Sequence, residues 1–423
     1  MKKSRSARAN EAYGRMSHEC RMCTSPDLKP VLDLGHQPHS DSFPTREQLD
    51  DAQVSYPLRL VACSACGLLQ IDYLVDPKIL YQEDYLYVSS TTATGKKHYT
   101  EMAESIVRLF HLGPESLVID IGSNVGVLLG AFRTQGPRVL GVDPAKIPVR
   151  QARTNGIDTV EDFFTSKVAR RIKKKYGVAS VITGTNVFAH LHELDDAVSG
   201  MKTLLAKDGV VIVEAPHALT MINNLEYDTI YHQHVSYLSV RPMGSYLKRM
   251  GLELFRVEEL PIHGGSLRYF AGFPGEHVVE PSVNILVQKE EAGGIYDTQR
   301  LSRFARDVAE QKHALVTLLL GLKTDGKRVV ALSAPAKGNT LLNYCHLDTA
   351  IIDYATERNP LKIGRYTPGT YIPIYDDRRI LSDAPDYALI LAWNFAEEIM
   401  KNMSDFKKRG GKFILPIPKP VIV

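Results

Sequence analysis

From position 117 onward the chain alternates short, β-branched apolar runs with longer amphipathic stretches. The runs at 117–121, 138–142, 180–183 and 210–214 predict strands, and the stretches between them predict helices. Such alternation builds a parallel, doubly wound α/β sheet, which binds its ligands beyond the carboxyl ends of the strands. A second α/β unit is predicted further on. A long helical pattern at 301–322 leads into an apolar run at 328–332, and 351–353 and 387–393 read as further buried strands. Ahead of both units the pattern is sparser, with a short apolar strand at 68–71 in a segment too poor in apolar residues to fold alone.

Composition sets bounds on this picture. A chain of 423 residues exceeds a single core and calls for two or three domains. A hydrophobic fraction of 44% and a charged fraction of 23% belong to an ordinary soluble globular protein. The net charge of +3 is too small to argue for a nucleic-acid partner, and the basic run Arg170, Arg171, Lys173, Lys174, Lys175 reads as a solvated helix face. Residues 1–16 are basic and lack a following apolar segment, so a frayed tail is expected rather than a secretory signal. No stretch reaches the roughly 18 apolar residues of a membrane span, and a cytoplasmic protein without membrane partners is expected.

Four of the five cysteines form two Cys-x-x-Cys knuckles, Cys20 with Cys23 and Cys63 with Cys66. Each knuckle turns two thiolates toward one point, and four thiolates suit tetrahedral zinc. Gly67 supplies the open backbone such a turn needs. A site closed by four sulfurs leaves no position for water or substrate, so the metal is expected to be structural. His18, His36 and His39 lie near enough in sequence to stand in for a ligand.

The 117–121 strand runs into Asp120-Ile-Gly122-Ser-Asn124-Val-Gly126, with a helix expected from about Val127. Glycines there let the backbone approach a ligand closely. An acidic residue and only two glycines depart from the dinucleotide fingerprint and suit a cofactor without a pyrophosphate, such as S-adenosylmethionine. Asp143 ends the next strand, where a carboxylate accepts ribose hydroxyls. Asp162 is a candidate for the adenine edge, and Asn186, after the following strand, for the reacting end. Phe163 and Phe188 read equally well as core residues.

The stretch from Glu226 to Tyr237 is dense in titratable groups, among them Tyr231, His232, Gln233 and His234. Methylating a carbon requires a base to remove a carbon-bound proton, and histidine titrates near working pH. Tyrosine can donate to a developing enolate oxygen. His232 and His234 can also be read as a metal-binding pair, although no carboxylate or third histidine stands at a matching spacing.

Taken together, the paired knuckles, residues 84–90, the Asp120 loop, residues 186–190, the Tyr231–His234 run and residues 332–340 resemble the zinc-containing, S-adenosylmethionine-dependent sugar C-methyltransferases of deoxysugar biosynthesis. The resemblance covers nearly the whole chain. It implies a nucleotide-linked 4-keto-6-deoxy sugar, deprotonated beside its ketone and methylated at C3. His234 would be the base, with Tyr231 and His190 close to the sugar, Tyr85 reaching in from the linker and Tyr87 nearby on the substrate side. Gln233 stands where the family usually has glutamate, which removes a charge beside the base.

In the last unit the turn around Lys337, Gly338 and Asn339 offers backbone donors and a cation at a helix start, and Lys362 and Arg365 add cations near the same edge. A diphosphate fits there, so Lys337, Asn339 and Arg365 are expected to bind the TDP-, GDP- or CDP-linked substrate. The expected division is a zinc-binding domain at 1–80, a class I (Rossmann-like) methyltransferase domain at 81–278 and a Rossmann-like α/β domain at 279–423, in a monomer or weak homo-oligomer. The rival readings are methylation of oxygen or nitrogen, a zinc and nucleotide-binding protein without turnover, and a nicotinamide enzyme built on the last unit.

Overall fold

The computed structural model describes residues 13–81, Leu86 and 93–423; Tyr85 and Tyr87 lie outside the described residues. The N-terminal segment is a small antiparallel assembly. Strands β2 (Leu28–Pro38), β3 (Ser55–Cys63) and β4 (Leu69–Ile71) form a meander, and β1 (Gly14–Met16) pairs with β5 (Tyr73–Val75). Residues 14–16 are therefore not part of a frayed tail: their backbone is tied into a ladder along residues 73–75.

The larger sheet has seven strands. They are β6 (Leu117–Ile121), β7 (Arg138–Asp143), β8 (Thr159–Glu161), β9 (Ala179–Thr185), β10 (Leu205–Pro216), β12 (Glu253–Leu260) and β13 (Ser266–Gly272). Their order is β12-β13-β10-β9-β6-β7-β8, with β13 antiparallel to both of its neighbours. All five side chains of β6 are buried. Leu117, Ile119 and Ile121 face one layer of helices while Val118 faces the other, as the two-residue period of a strand requires. The helix Ser166–Tyr176 buries Val168, Ala169 and Ile172 and leaves its basic run exposed, as expected.

One strand ties these two assemblies together. β11 (Ser236–Tyr237) leaves the part of the chain that forms the larger sheet and pairs with β4 of the N-terminal sheet, Ser236 opposite Gln70. The helix Pro281–Ala292 then packs on β12 and on the helix Val240–Arg249. The long helix Thr298–Thr324 buries Leu301, Phe304, Val308, Leu315, Leu319 and Leu322, a spacing of three, four or seven residues.

The last sheet comprises β14 (Val329–Leu332), β15 (Ala355–Glu357), β16 (Ile374–Asp376), β17 (Tyr387–Ile390), β18 (Lys412–Leu415) and β19 (Val421–Ile422), in the order β16-β15-β14-β17-β18-β19. It is parallel except for β19. Two expected strands shift. Residues 351–353 lie in a turn whose Ile351 and Ile352 N–H groups both reach the Asp348 carbonyl; the isoleucines are apolar because they plug the core, and the strand starts at Ala355. The 387–393 run ends as a strand at Ile390, and Trp393 opens a short 3-10 turn. Among the described residues no helix is long and apolar enough to cross a membrane.

Candidate functional site

A cleft of about 1140 Å³ runs between the carboxyl ends of the two parallel sheets, and the N-terminal segment contributes to its wall. The metal knot lies behind that wall. Sγ of Cys20 is 3.5 Å from Sγ of Cys66, Sγ of Cys23 is 3.5 Å from Sγ of Cys63, and all four sulfurs fall within 4.8 Å of one another. Tetrahedral zinc, with Zn–S near 2.3 Å, places its sulfurs about 3.8 Å apart, so the four thiols fit that ion. Gly67 adopts φ +87°, closing the second knuckle. Among the described residues this is the only such ligand cluster, and His18, His36 and His39 take no part in it.

At the far end of the cleft stands the loop after β6. The Asp120 carboxylate accepts from Thr183 Oγ1 at 2.7 Å, and burial pushes its carboxyl up to about 7. Gly122 (φ +68°) turns directly beneath Val187, whose side chain a Cβ would overlap. Gly126 (φ +79°) precedes the helix Val127–Thr134, where a Cβ would lie 2.9 Å from Ile157. Asp143 takes the Asn124 N–H at 2.9 Å and the Ala145 N–H at 2.8 Å; burial raises its carboxyl while these donors oppose the rise. Asp120, Gly122, Asn124, Asp143 and Asn186 all line the cleft. A cation can meet Asp120, and hydroxyls can meet Asp143. Asp162 points elsewhere, pairing with Arg171 at 3.1 Å on the helix surface, while Phe163 lines the cleft and Phe188 is core.

The titratable run folds into a compact cluster. His234 Nδ1 donates to the Thr229 carbonyl at 2.7 Å, and because a carbonyl only accepts, Nδ1 carries the proton. Nε2 then faces the Tyr231 hydroxyl at 2.8 Å. The rings of His190 and His234 meet edge-on with centroids 4.8 Å apart, and Tyr81 Oη lies 3.1 Å from His190 Nδ1. Burial holds His190 well below the usual imidazole range, so it is neutral. The two histidines are fixed through the backbone as well, since the Val235 N–H donates to the Ala189 carbonyl at 2.9 Å.

Gln233 and His232 divide between the two sides of the wall. Gln233 Nε2 donates to Asp41 at 2.9 Å and lies 2.7 Å from His39 Nε2, and its carbonyl accepts from Ser40 Oγ at 3.1 Å. His232 is buried, faces the Pro57 carbonyl at 3.3 Å and is absent from the cleft lining. His232 and His234 thus point to different places, which removes the metal-pair reading. Arg21, between the first two cysteines, reaches across to the same cluster. Its Nε donates to Ser236 Oγ at 3.1 Å and its Nη2 donates to the Leu191 and His192 carbonyls, the latter at 3.2 Å.

From the opposite side Lys337, at the start of the helix Ala336–Cys345, sits 3.8 Å over the Trp393 ring and bonds Asn394. Loss of hydration lowers its ammonium to about 8, with Asp228 and Glu226 opposing. Lys337 and Lys362 line the cleft, whereas Asn339 and Arg365 do not. Asn339 donates to the Ser40 carbonyl at 2.7 Å and Arg365 to the Phe43 carbonyl at 2.9 Å, so both brace the last sheet against the N-terminal segment. Sequence reasoning missed Asp41, Tyr81 and Arg21, as well as Glu357, which lines the cleft at the end of β15. Only the polar run His39-Ser40-Asp41 following β2 hinted at the first of them.

Comparison with known proteins finds a family match for each of the three sheet-bearing parts of the chain. Residues 20–81 match a zinc binding domain, 95–257 a methyltransferase domain and 261–418 the C-methyltransferase C-terminal domain. Over 406 residues the chain is 33% identical to the C-methyltransferase NovU of Streptomyces niveus, covering 96% of each protein. Among solved structures, an S-adenosylmethionine-dependent methyltransferase from Anabaena variabilis covers 44% of this chain and 98% of its own, at 14% identity and a TM-score of 0.34. The magnesium protoporphyrin IX methyltransferase ChlM from Synechocystis, with S-adenosylhomocysteine bound, covers 44% and 90%, at 16% identity and a TM-score of 0.35.

Proposed function

The chain belongs to the C-methyltransferase family, with S-adenosylmethionine as cofactor and structural zinc, and from that premise we propose that it methylates C3 of a nucleotide-linked 4-keto-6-deoxy sugar. The carrying observation is the pinned imidazole of His234. With its proton held on Nδ1 by the Thr229 carbonyl, its basic nitrogen is Nε2, on the side of Tyr231 and His190. That nitrogen takes the proton from the carbon beside the ketone, and the electron pair left behind delocalises onto the ketone oxygen as an enolate. Tyr231 turns its hydroxyl from Nε2 to that oxygen as the charge develops. His190, kept neutral by burial, adds no second positive charge beside the imidazolium that forms. S-adenosylmethionine supplies the electrophilic methyl group, which the enolate carbon accepts as the methyl–sulfur bond breaks. In this reading Asp120 meets the cofactor's ammonium and Asp143 its ribose, with Gly122, Asn124 and Asn186 shaping the pocket and Gly126, outside the cleft lining, turning the loop into its helix, while Lys337 faces the substrate's diphosphate.

The test is His234→Ala, assayed in heavy water with TDP-4-keto-6-deoxyglucose. Turnover should fall by about two to four powers of ten, together with exchange of the sugar's C3 hydrogen, while cofactor affinity stays as in the wild type. Unchanged turnover would remove His234 from the mechanism, and methyl transfer without loss of the C3 hydrogen would point to oxygen or nitrogen as the acceptor.

A further inference from the structure

The two parallel sheets share a plan. The order β16-β15-β14-β17-β18 of the last sheet repeats β8-β7-β6-β9-β10 of the larger one. In the larger sheet the second strand, β7, ends in Asp143, which takes an N–H from Asn124 in the loop after the first strand. The last sheet carries the same device. Its second strand, β15, ends in Glu357, whose Oε2 takes the Ala334 N–H at 3.0 Å from the loop after β14. Oε1 takes the N–H groups of Arg358 at 2.7 Å and Asn359 at 3.1 Å. The first residue after each first strand also shares a left-handed conformation, Gly122 at φ +68° after β6 and Ser333 at φ +69° after β14.

Both carboxylates line the same cleft. At the end of the second strand of a doubly wound sheet, an acidic side chain is placed to accept the sugar hydroxyls of a nucleotide. A carboxylate offers about four acceptor positions. Three backbone donors fix this one and leave a position open on Oε2. Lys337, one turn beyond the same loop and also in the cleft, brings a cation within range of the neighbouring phosphates.

We propose that Glu357 seats the pentose of the substrate's nucleoside diphosphate, accepting a ring hydroxyl on Oε2, so that cofactor and substrate nucleotide each occupy the strand-end carboxylate of one sheet. This assignment rests on the nucleotide-sugar reading above. It places the nucleoside on the Glu357 side of Lys337, away from Asn339 and Arg365.

The test is calorimetric titration of the full chain, wild type and Glu357→Gln, with TDP, GDP and CDP and with S-adenosylmethionine. The tightest-binding diphosphate should lose about tenfold or more in affinity in the variant, and S-adenosylmethionine should bind both proteins alike. A second titration guards against local damage to the loop: the analogue of that diphosphate lacking the free pentose hydroxyls should bind wild type about as weakly as the parent binds the variant, and should lose nothing further in the variant. A variant that binds the parent as wild type does, or an analogue that loses equally in both proteins, would overturn the Glu357 assignment alone. A wild type that binds none of the three diphosphates would overturn the nucleotide-sugar reading with it.

Discussion

Asp120 makes the cofactor's affinity depend on pH in a direction and amount that follow from its surroundings. Burial outweighs the Thr183 hydrogen bond, so its carboxyl titrates at about 7 in the free protein, far above the ordinary 3.8. A ligand ammonium placed against it favours the charged form and draws that value down, so binding releases a proton wherever the free site is protonated. At pH 7 about half of the sites carry the charge, and at pH 6 about one in eleven does. Affinity for S-adenosylmethionine should therefore fall about fivefold over that unit, or ~1 kcal/mol. Below pH 7 the ligand's own amino group stays protonated and does not confound the slope. Asp143, whose carboxyl is also raised, could mimic the effect, and Asp120→Asn separates the two. The variant should bind more weakly at pH 7 and lose most of the slope. The assay is isothermal titration at pH 6 and 7 in two buffers of different ionisation enthalpy, which counts the proton released. Equal affinity at both pH values in the wild type, or an undiminished slope in Asp120→Asn, would refute the assignment.

Arg21→Met should lower kcat by about 10–100-fold while zinc content and cofactor affinity stay unchanged, since the guanidinium braces the backbone beside His190 and the Ser236 hydroxyl; metal analysis and steady-state kinetics check this, and a wild-type kcat would contradict it. Gln233→Glu would set a second carboxylate about 3 Å from Asp41, whose carboxyl burial already raises. Carboxyls with folded values raised above their unfolded ones stabilise when protonated and lose that contribution as pH rises. Thermal melts should accordingly show the variant losing more stability than wild type as pH rises above the ordinary carboxylate range, and parallel melting curves would count against a coupled pair.

The parts of this molecule legible in sequence are those fixed by local chemistry. The continuous apolar run of β6, the Asp120 loop and the two cysteine knuckles each specify their own geometry over a few residues. β8 was hidden because it is only three residues long, and β12 because four of its eight residues are charged. Ile351 and Ile352 misled because a core plug and a buried strand present the same apolar pair. The misses within the site are of another kind. Asp41 meets Gln233 across 192 positions of chain, Tyr81 meets His190 across 109, and Arg21 reaches Ser236 across 215. Such partners are chosen by the docking of β11 on β4, which no periodicity announces. Asn339 and Arg365 carried the right chemistry for a phosphate, but the packing of the last unit on the N-terminal segment turns them to the Ser40 and Phe43 carbonyls.

The central claim is that a proton leaves carbon before a methyl group arrives there, on a sugar carried by a nucleotide. The direct measurement is incubation of the protein with methyl-labelled S-adenosylmethionine and TDP-, GDP- and CDP-linked 4-keto-6-deoxy sugars in heavy water, with products resolved by mass spectrometry. The account predicts one labelled product, methylated at the carbon beside the ketone and lacking that carbon's original hydrogen. A labelled product methylated on oxygen or nitrogen, with the carbon-bound hydrogen retained, would contradict it.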